Sequence, residues 1–390
     1  MSRVAFLLAL VSLGCTTGVE LLPCPLAPDG GTTPQCAAAA GPAIRFPTAQ
    51  GKECAGALAA RVARYALCSC LPLSLSVSLT TDAIDSRTFA SPSAHGAAVG
   101  TDGELRMVGS LAVGGSLVAA GADGVHLSRG SSVADNLRSG GPLVALEPTT
   151  IGGDAFVSGD VSGPVTVGGT LQLPEDAADG AQAASVTRAT PHLDPPCGCD
   201  EPPVVSPKQL AQAHATENDD AIIGLSPDAL EEVDDAREVE LPAGQYYLTT
   251  LRTGPDAPLR LHVRGRVALF VGGDVRLGSS LKVQLDPAGE LDLVVAGEVQ
   301  FAGGTLGALD AAARVRLWLG SALLQISDDA RIGAVVYGPG TVVSAAAGLS
   351  VTGALEVREL AATGAVSIHY DEANLASGAT CGLPPEPEVN

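Results

Sequence analysis

Aliphatic and polar residues alternate in short runs along most of the chain. Leu281, Val283 and Leu285 alternate with Lys282 and Gln284. Strict alternation with a period of two is typical of a strand that buries one face. The same pattern predicts further strands at 71–79, 275–277, 291–295, 299–301 and 315–317. The polar positions of these strands are expected to face solvent, and they include Arg276, Lys282, Asp292, Gln300 and Arg316.

A short glycine-containing phrase repeats at two spacings. The phrase at 271–275 returns at 295–299, and the same interval, slightly shortened, leads from Gly297 to Gly320 and then to Gly340. Nearer the N-terminus, the run 108–117 repeats a Ser-Leu step at a much closer spacing, and other runs there continue in the same style. Three strands in each long repeat, of about 20–24 residues, predict one rung of a three-sided β-helix. Glycine suits the corners because it reaches positive φ without a steric penalty.

These repeats predict an all-β fold, namely a parallel β-helix with a small helical N-terminal cap and a helical insertion. Each rung buries its inward face by stacking on the next, which gives one narrow aliphatic core. At about 4.8 Å per rung, roughly six to eight rungs would extend about 30–40 Å. The alternative is an antiparallel β-sandwich or barrel, which also has many short strands. Regularly spaced hairpin turns would indicate that alternative, whereas Asp-Gly pairs such as Asp102-Gly103 and Asp123-Gly124 do not recur at a fixed spacing.

Changes in composition divide the chain into seven segments. The predicted organisation is a signal peptide at 1–14, a flexible leader at 15–52, a Cys-containing helix and strand cap at 53–96, a first β-helix part at 97–190, a Pro/Cys-rich helical insertion at 191–240, a second β-helix part at 241–372 and a disordered tail at 373–390. The cap helix is expected from about Glu53 to Leu67, where apolar residues fall near helical spacing. In the insertion, serine followed by proline predicts two helix starts, and these helices cover about 206–215 and 226–233.

Composition and charge restrict the classes of function. The chain has 390 residues, of which 46% are hydrophobic but only 3% aromatic, so the core must consist of Val, Leu, Ile and Ala. Acidic residues outnumber basic ones by 43 to 22, which gives a net charge of −21. This charge argues against nucleic-acid binding, because phosphate contacts need clusters of Lys and Arg.

The N-terminus has the features of an export signal. Arg3 is followed by an apolar run, Val4 to Leu13, which is too short to span a bilayer. The sequence Ser12-Leu13-Gly14-Cys15 resembles the lipobox of bacterial lipoproteins. The resemblance implies that Cys15 is lipidated and, since Thr16 rather than Asp follows it, that the protein is an exported one at the outer membrane or cell surface. The alternative is an ordinary secretory signal that is cleaved.

The remaining eight cysteines predict disulfides, because an even number in an exported protein is typical of a disulfide framework. The candidates are Cys24, Cys36, Cys54, Cys68, Cys70, Cys197, Cys199 and Cys381. We favour a Cys24–Cys36 pair, with the two Cys-X-Cys motifs joined to each other or to Cys54 and Cys381. A zinc site of four thiolates from the two motifs is an alternative, but one intervening residue is fewer than zinc sites usually have, so no metal is expected.

Candidate catalytic chemistry is sparse. The densest local cluster runs from His214 to Asp220, where carboxylates next to a histidine would suit a divalent cation or an acid/base pair. Metal-ligand spacing is absent, so we interpret this stretch as a solvated loop that caps the next element. The Gly-Gly-Asp phrases lack the register of calcium-binding nonapeptide repeats, and the sequence has no hydrolase, nucleotide-binding or zinc-protease motif. We therefore expect no catalytic residues and no cofactor.

The phrase Val271-Gly272-Gly273-Asp274-Val275 and its copies resemble bactofilins and related polymer-forming domains. The resemblance covers about 97–175 and 240–370, and it implies a right-handed β-helix that assembles end to end without nucleotide. The expected function is that of a non-catalytic structural or adhesive cell-envelope lipoprotein, a rigid scaffold held to the membrane by its lipid and capable of self-association. The alternative is a protein that binds or degrades polysaccharide, a role common among β-helices.

Overall fold

The computed structural model describes residues 41–88, 93, 95–199 and 203–380. Cys15 and the other predictions on 1–40 and 381–390 lie outside these residues. The described chain begins with an antiparallel hairpin of β1 (Arg45–Thr48) and β2 (Gly51–Cys54), followed by α1 (Ala55–Val62). The hairpin occupies part of the predicted flexible leader at 15–52, and it is ordered because Phe46 is buried against the body of the molecule. The helix is shorter than predicted and packs against the side of the β-structure, not across an end.

Short strands that alternate inward and outward residues form the first half. They are β3 (Leu67–Ser69), β4 (Leu73–Leu75), β5 (Leu79–Ile84), β6 (Val99–Thr101), β7 (Leu105–Met107), β8 (Leu111–Val113), β9 (Leu117–Ala119), β10 (Val125–Leu127), β11 (Ser131–Val133), β12 (Leu137–Ser139), β13 (Leu143–Ala145), β14 (Thr149–Ile151), β15 (Ala155–Val157), β16 (Val161–Leu173) and β17 (Asp179–Arg188). Val125 of β10 pairs in parallel with Leu143 of β13, so β10, β11 and β12 make one rung. Rungs in this half are shorter than the interval predicted from the repeated glycine phrase.

The second half has longer strands and a longer repeat. Its strands are β18 (Arg237–Leu248), β19 (Leu251–Thr253), β20 (Leu259–Val271), β21 (Val275–Leu277), β22 (Leu281–Leu285), β23 (Glu290–Val295), β24 (Val299–Phe301), β25 (Gly304–Gly307), β26 (Val315–Leu319), β27 (Leu323–Ile326), β28 (Ala330–Ala345), β29 (Leu349–Ala362) and β30 (Val366–Asp371). Val275 pairs in parallel with Val299, which confirms the interval between the copies of the phrase at 271–275 and 295–299.

The two halves stack in the reverse of their order in the chain. Leu355 of β29 pairs with Leu67 of β3, and β30 pairs with β5, so the last rung of the second half lies on the first rung of the first half. The result is one parallel β-solenoid of about 13 turns, which confirms the predicted fold class. At about 4.8 Å per rung it extends roughly 60 Å, about 1.5 to 2 times the predicted length.

The reversed order places β18 at one end of the solenoid and β17 at the other. Residues 189–236, here called the return segment, must therefore run the length of the molecule to connect them. The return segment contains α2 (Pro207–His214), which confirms the predicted helix start at Ser206-Pro207, and α3 (Asp220–Ile223).

The second predicted helix, at 226–233, is wrong. The carbonyl groups of Pro227 and Leu230 accept hydrogen bonds from the N–H groups of Thr249 and Arg252. The backbone there follows the edge of the rung that contains β18 and β19, because these two carbonyls accept hydrogen bonds from that rung and not from a helix.

The last described residues pack on the side of the solenoid. The described part of the chain contains two 3-10 helices, Ala312–Arg314 and Glu372–Thr380. The second occupies the start of the predicted disordered tail, where Asn374 is fully buried and donates to the carbonyls of Ala59 and Ala63. Among the described residues, no helix combines the length and the apolar character needed to cross a bilayer.

The core is a narrow aliphatic cylinder, as the composition predicts. Inward positions stack in register from rung to rung, and Leu67, Val99, Leu117, Leu137 and Ala155 form one such ladder of fully buried residues. Gly124, with φ +72°, occupies a corner at which an added Cβ would collide with the backbone of the next rung.

Candidate functional site

One outward-facing position per rung forms a continuous line along the whole solenoid, here called the covered column. Successive strand pairings place these residues one above another: Tyr247, Phe270, Val294, Trp318, Tyr337, Glu356, Cys68, Gly100, Val118, Arg138, Phe156, Gln172 and Thr187. The return segment lies along this column. The covered column brings together the two Cys-X-Cys motifs, several aromatic side chains and the buried Glu356.

Two disulfides fix the return segment near the middle of the column. Cys68 is bonded to Cys197 and Cys70 to Cys199, with Cα–Cα distances of 5.6 and 5.5 Å. The two Cys-X-Cys motifs are thus joined to each other, one of the two arrangements that the sequence suggested, and Cys54 is also disulfide-bonded. Gly100, in the next rung, leaves room for Pro196, whose Cβ would lie 3.2 Å from an added side chain.

The same cysteines do not provide a zinc site. Donor atoms of Asp102, Cys197 and Cys199 lie within 4.8 Å of one another, but both sulfurs are committed to disulfides and are not thiolates. The Asp102 carboxylate instead accepts hydrogen bonds from the backbone N–H groups of Cys197, at 2.8 Å, and Cys199, at 3.4 Å. Asp102 therefore positions the second Cys-X-Cys motif for pairing with the first.

Towards the β18 end, the covered column carries an aromatic layer formed by Phe270, Trp318 and Tyr337, with Phe46 and His214 packed against it. The indole of Trp318 meets the ring of Tyr337 edge to face at a centroid distance of 5.5 Å, and Phe46 of the hairpin meets Trp318 at 5.6 Å. The imidazole of His214 stacks on Phe270 at 3.9 Å. The backbone N–H of Val204 donates to the Tyr337 hydroxyl at 3.0 Å. These aromatic faces are therefore turned towards protein instead of solvent.

A buried ionic cluster lies beside this layer. The Arg316 guanidinium donates to both oxygens of Asp292, at 2.7 and 2.9 Å, and to Glu290 at 2.8 Å, while the Trp318 indole donates to Asp292. Burial alone would raise the pKa of Glu290, but Arg316 holds it below the usual range. Asp292 and Arg316 were expected to face solvent. They do point away from the core, but they are 0% and 2% exposed, since α1 and the hairpin form a second layer over them.

Glu356 is the unusual acid of the covered column. It is 6% exposed and lies between Tyr337 and Cys68 in adjacent rungs. Burial, assisted by the charge of Asp102, raises the pKa of Glu356 to about 8, so it is mostly protonated at neutral pH. Burial and the nearby Glu356 also raise the pKa of Tyr337. The sequence does not reveal this site, because Glu356 has the alternation of an ordinary outward residue.

The stretch from His214 to Asp220 closes the β18 end. Asp219 and Asp220 accept hydrogen bonds from the backbone N–H groups of Gln245, at 2.8 Å, and Tyr247, at 2.9 Å. Burial raises the pKa of Asp220. Because His214 is stacked on Phe270, the imidazole and the carboxylates do not converge on one point. The stretch caps the edge of β18, as interpreted from the sequence, but it is not solvated throughout, because Asp220 is only 5% exposed.

Two outward histidines elsewhere each pair with one carboxylate. His262 lies 2.9 Å from Asp286, and His369 lies 2.7 Å from Asp82. Each pair joins neighbouring rungs, so these contacts support stacking.

Residues 198–376 match the model of a family described as a domain of unknown function, DUF7305. The match begins at the second Cys-X-Cys motif and continues through the rungs that carry the aromatic layer and the ionic cluster. Comparison with curated proteins and with solved structures finds no match. The chain is thus similar over this region to a family of unknown function.

Proposed function

We propose that the protein is a non-catalytic structural component of the cell envelope, exported and held to a membrane by a lipid on Cys15. The observation that carries this proposal is the return segment, which spans the solenoid and is fixed by the Cys68–Cys197 and Cys70–Cys199 disulfides. Such bonds persist in oxidising compartments outside the cytosol. A continuous stack reinforced along one side is suited to a spacer that keeps its shape.

The position of Gly41 indicates which end of the solenoid the proposed anchor would tether. The Arg266 guanidinium donates to the Gly41 carbonyl at 2.9 Å, and Gly41 lies against Ala243 of β18. The chain before Gly41 therefore leaves from the β18 end. A lipid on Cys15 would therefore tether the molecule through its β18 end.

Burial of the aromatic layer favours the structural role over the alternative of polysaccharide binding or degradation. Sugar sites on β-helices need aromatic and carboxylate side chains aligned on a face open to solvent. Phe270, Trp318 and Tyr337 are aligned on successive or nearby rungs, but all three are buried. Their alignment serves packing of the second layer.

Lipid labelling tests the anchor. Wild-type protein expressed with a radioactive fatty acid is expected to carry label and to fractionate with membranes, whereas Cys15→Ala should carry none and appear in the soluble fraction. An unlabelled wild-type chain would refute lipidation. A Cys24→Ala variant is the matched control, because it removes another leader cysteine and should keep the label.

A glycan array and a lyase and hydrolase screen on the purified protein test the structural role. We expect neither specific binding nor turnover. Clear turnover of any polysaccharide would refute the non-catalytic role.

A further inference from the structure

Cys54 has a disulfide partner that lies outside the described residues. Cys54 is disulfide-bonded, whereas the other four cysteines of the described chain are bonded to one another in the two bridges between the Cys-X-Cys motifs. Within the sequence, the partner is therefore one of Cys15, Cys24, Cys36 and Cys381. The contacts on either side of Cys54 distinguish between these four.

The 3-10 helix Glu372–Thr380, here called the lateral 3-10 helix, runs antiparallel to α1. The Asn374 side chain donates to the carbonyl of Ala63, at the end of α1, at 3.2 Å. Further along the lateral 3-10 helix, the Ser377 carbonyl lies so close to Gly56, near the start of α1, that an added Cβ there would be 2.6 Å from its oxygen. The lateral 3-10 helix therefore advances towards the residue that precedes α1.

Cys54 is that preceding residue, and Cys381 is the first residue after the lateral 3-10 helix. From Ser377 to Cys381 a 3-10 helix advances roughly 8 Å, at about 2.0 Å per residue. From Gly56 to Cys54 the chain covers at most about 7 Å in the same direction. The two cysteines thus come to the same level on neighbouring elements, where the Cα–Cα distance of about 4.4–6.8 Å that a disulfide needs is readily met.

The leader, by contrast, moves away from Cys54. The Ile44 carbonyl accepts the Ala55 N–H at 3.0 Å, next to the start of α1. From there the chain runs towards the β18 end, where Gly41 lies against β18. Cys36 precedes Gly41 by five residues, so the leader would have to reverse its direction to bring this cysteine back to Cys54.

We propose that Cys54 is bonded to Cys381, so that a disulfide fastens the chain after the lateral 3-10 helix to the start of α1. This leaves Cys24 and Cys36 for the pair favoured by the sequence. The bond forms by exchange with an external disulfide, which takes up two protons and two electrons and becomes two thiols while the two Sγ atoms join. The pairing does not depend on the lipid anchor.

The bond completes the second layer over the buried ionic cluster. The Arg316 guanidinium lies 3.5 Å from the position of an added Cβ at Gly56, so the start of α1 covers it directly. The Ser377 hydroxyl donates to the Ala313 carbonyl at 3.5 Å, which places the lateral 3-10 helix beside the same rung. Helices as short as these two are marginal on their own. A covalent bond between them keeps both in place over Arg316.

Peptide mapping without reduction identifies the partner of Cys54. Free thiols are blocked with a maleimide, and the unfolded full chain is digested with trypsin, which leaves Cys54 in 53–61 and Cys381 in 359–390. The leader cysteines lie in a peptide that ends at Arg45. We expect 53–61 linked to 359–390. A link from 53–61 to the leader peptide or to a second chain, or an unlinked 53–61, would overturn the proposal.

Cys381→Ser removes the proposed partner. The Cys54 thiol should then be free, and 53–61 should react with maleimide after unfolding, whereas in wild type it should not react. Cys36→Ser is the matched control, because it removes a leader cysteine and should leave 53–61 unlabelled. Labelling of 53–61 in Cys36→Ser but not in Cys381→Ser would identify the leader as the partner and refute the pairing.

Hydrogen exchange tests the role of the bond in the second layer. In Cys54→Ser/Cys381→Ser, the amides of 372–380 should exchange roughly 10-fold faster or more, while those of the interior rungs keep their wild-type rates. Circular dichroism should show that the variant remains folded, since the buried contacts of Asn374 are retained. Exchange of 372–380 at the wild-type rate would contradict this role of the bond.

Discussion

At the scale of single residues, Glu356 couples the fold to pH. Its pKa is about 8 in the folded protein and 4.5 in the unfolded reference, so the folded state binds more protons between these values. Stability should therefore fall as pH rises from about 4.5 to 8, by at most about 1.4 kcal/mol per pH unit from this group. Burial of the ionised carboxylate under the return segment is the cause.

Glu356→Gln tests this coupling. The variant should lose part of the decline in free energy of unfolding between pH 5 and 8, measured by denaturant titration at several pH values. Glu359→Gln, on the same strand, is the control and should retain the wild-type profile. Identical pH profiles for wild type and Glu356→Gln would show that the carboxyl is not buried in its protonated form.

At the scale of elements, the disulfides determine how firmly the return segment is held. Removing one whole bridge, in Cys68→Ser/Cys197→Ser or in Cys70→Ser/Cys199→Ser, should lower the free energy of unfolding by about 2–4 kcal/mol. A value near the lower limit is expected, because the retained bridge, whose cysteines are also 129 positions apart, still closes the long loop. Limited proteolysis should then cut the return segment faster than in wild type.

The two double variants are matched controls for each other, because each retains one bridge and leaves no unpaired thiol from the other. Both variants should be cut in the return segment faster than wild type, and faster still when the second bridge is also removed or reduced. Unchanged proteolysis of the return segment after loss of both bridges would show that packing on Trp318 and Tyr337 holds it alone.

Alternation along the chain was sufficient to predict strands and the aliphatic core, since period-two burial is a local property, and the glycine phrase predicted the rungs of the second half only. It was insufficient to predict how the rungs stack. Every rung presents a similar edge, so nothing local to Leu67 specifies that its partner is Leu355. For the same reason, alternation assigned Asp292 and Arg316 to the outside of the solenoid without revealing that a second layer covers them. The motif Cys-X-Cys identified the disulfides, but Glu356 had no such signature.

At the scale of the whole molecule, a solenoid is a stack in which each rung contacts its neighbours. The effect of removing core atoms should therefore depend on position. Leu117→Ala, in an interior rung, should lower the free energy of global unfolding by about 2–5 kcal/mol. Leu171→Ala, one rung from the β17 end, should lower this free energy less, because the terminal rungs can separate locally without disrupting the rest.

Leu117 and Leu171 are both fully buried, so the comparison isolates position along the stack. Denaturant unfolding measures the loss in free energy of global unfolding. Hydrogen exchange should show local opening of 161–188 in Leu171→Ala only. Equal losses in free energy of unfolding for the two variants, without local opening, would indicate that the solenoid unfolds as one unit up to its β17 end.

The reversed stacking has a consequence for synthesis. Ser69 and Arg358, which meet through a hydrogen bond, are 289 positions apart. Until the later rungs have been translated, β3 lacks its partner strand β29, and the rungs of the first half lack the neighbour on which they stack. Contacts this distant in sequence slow folding. The nascent polypeptide thus stays vulnerable to misassembly until β29 and β30 have been synthesised.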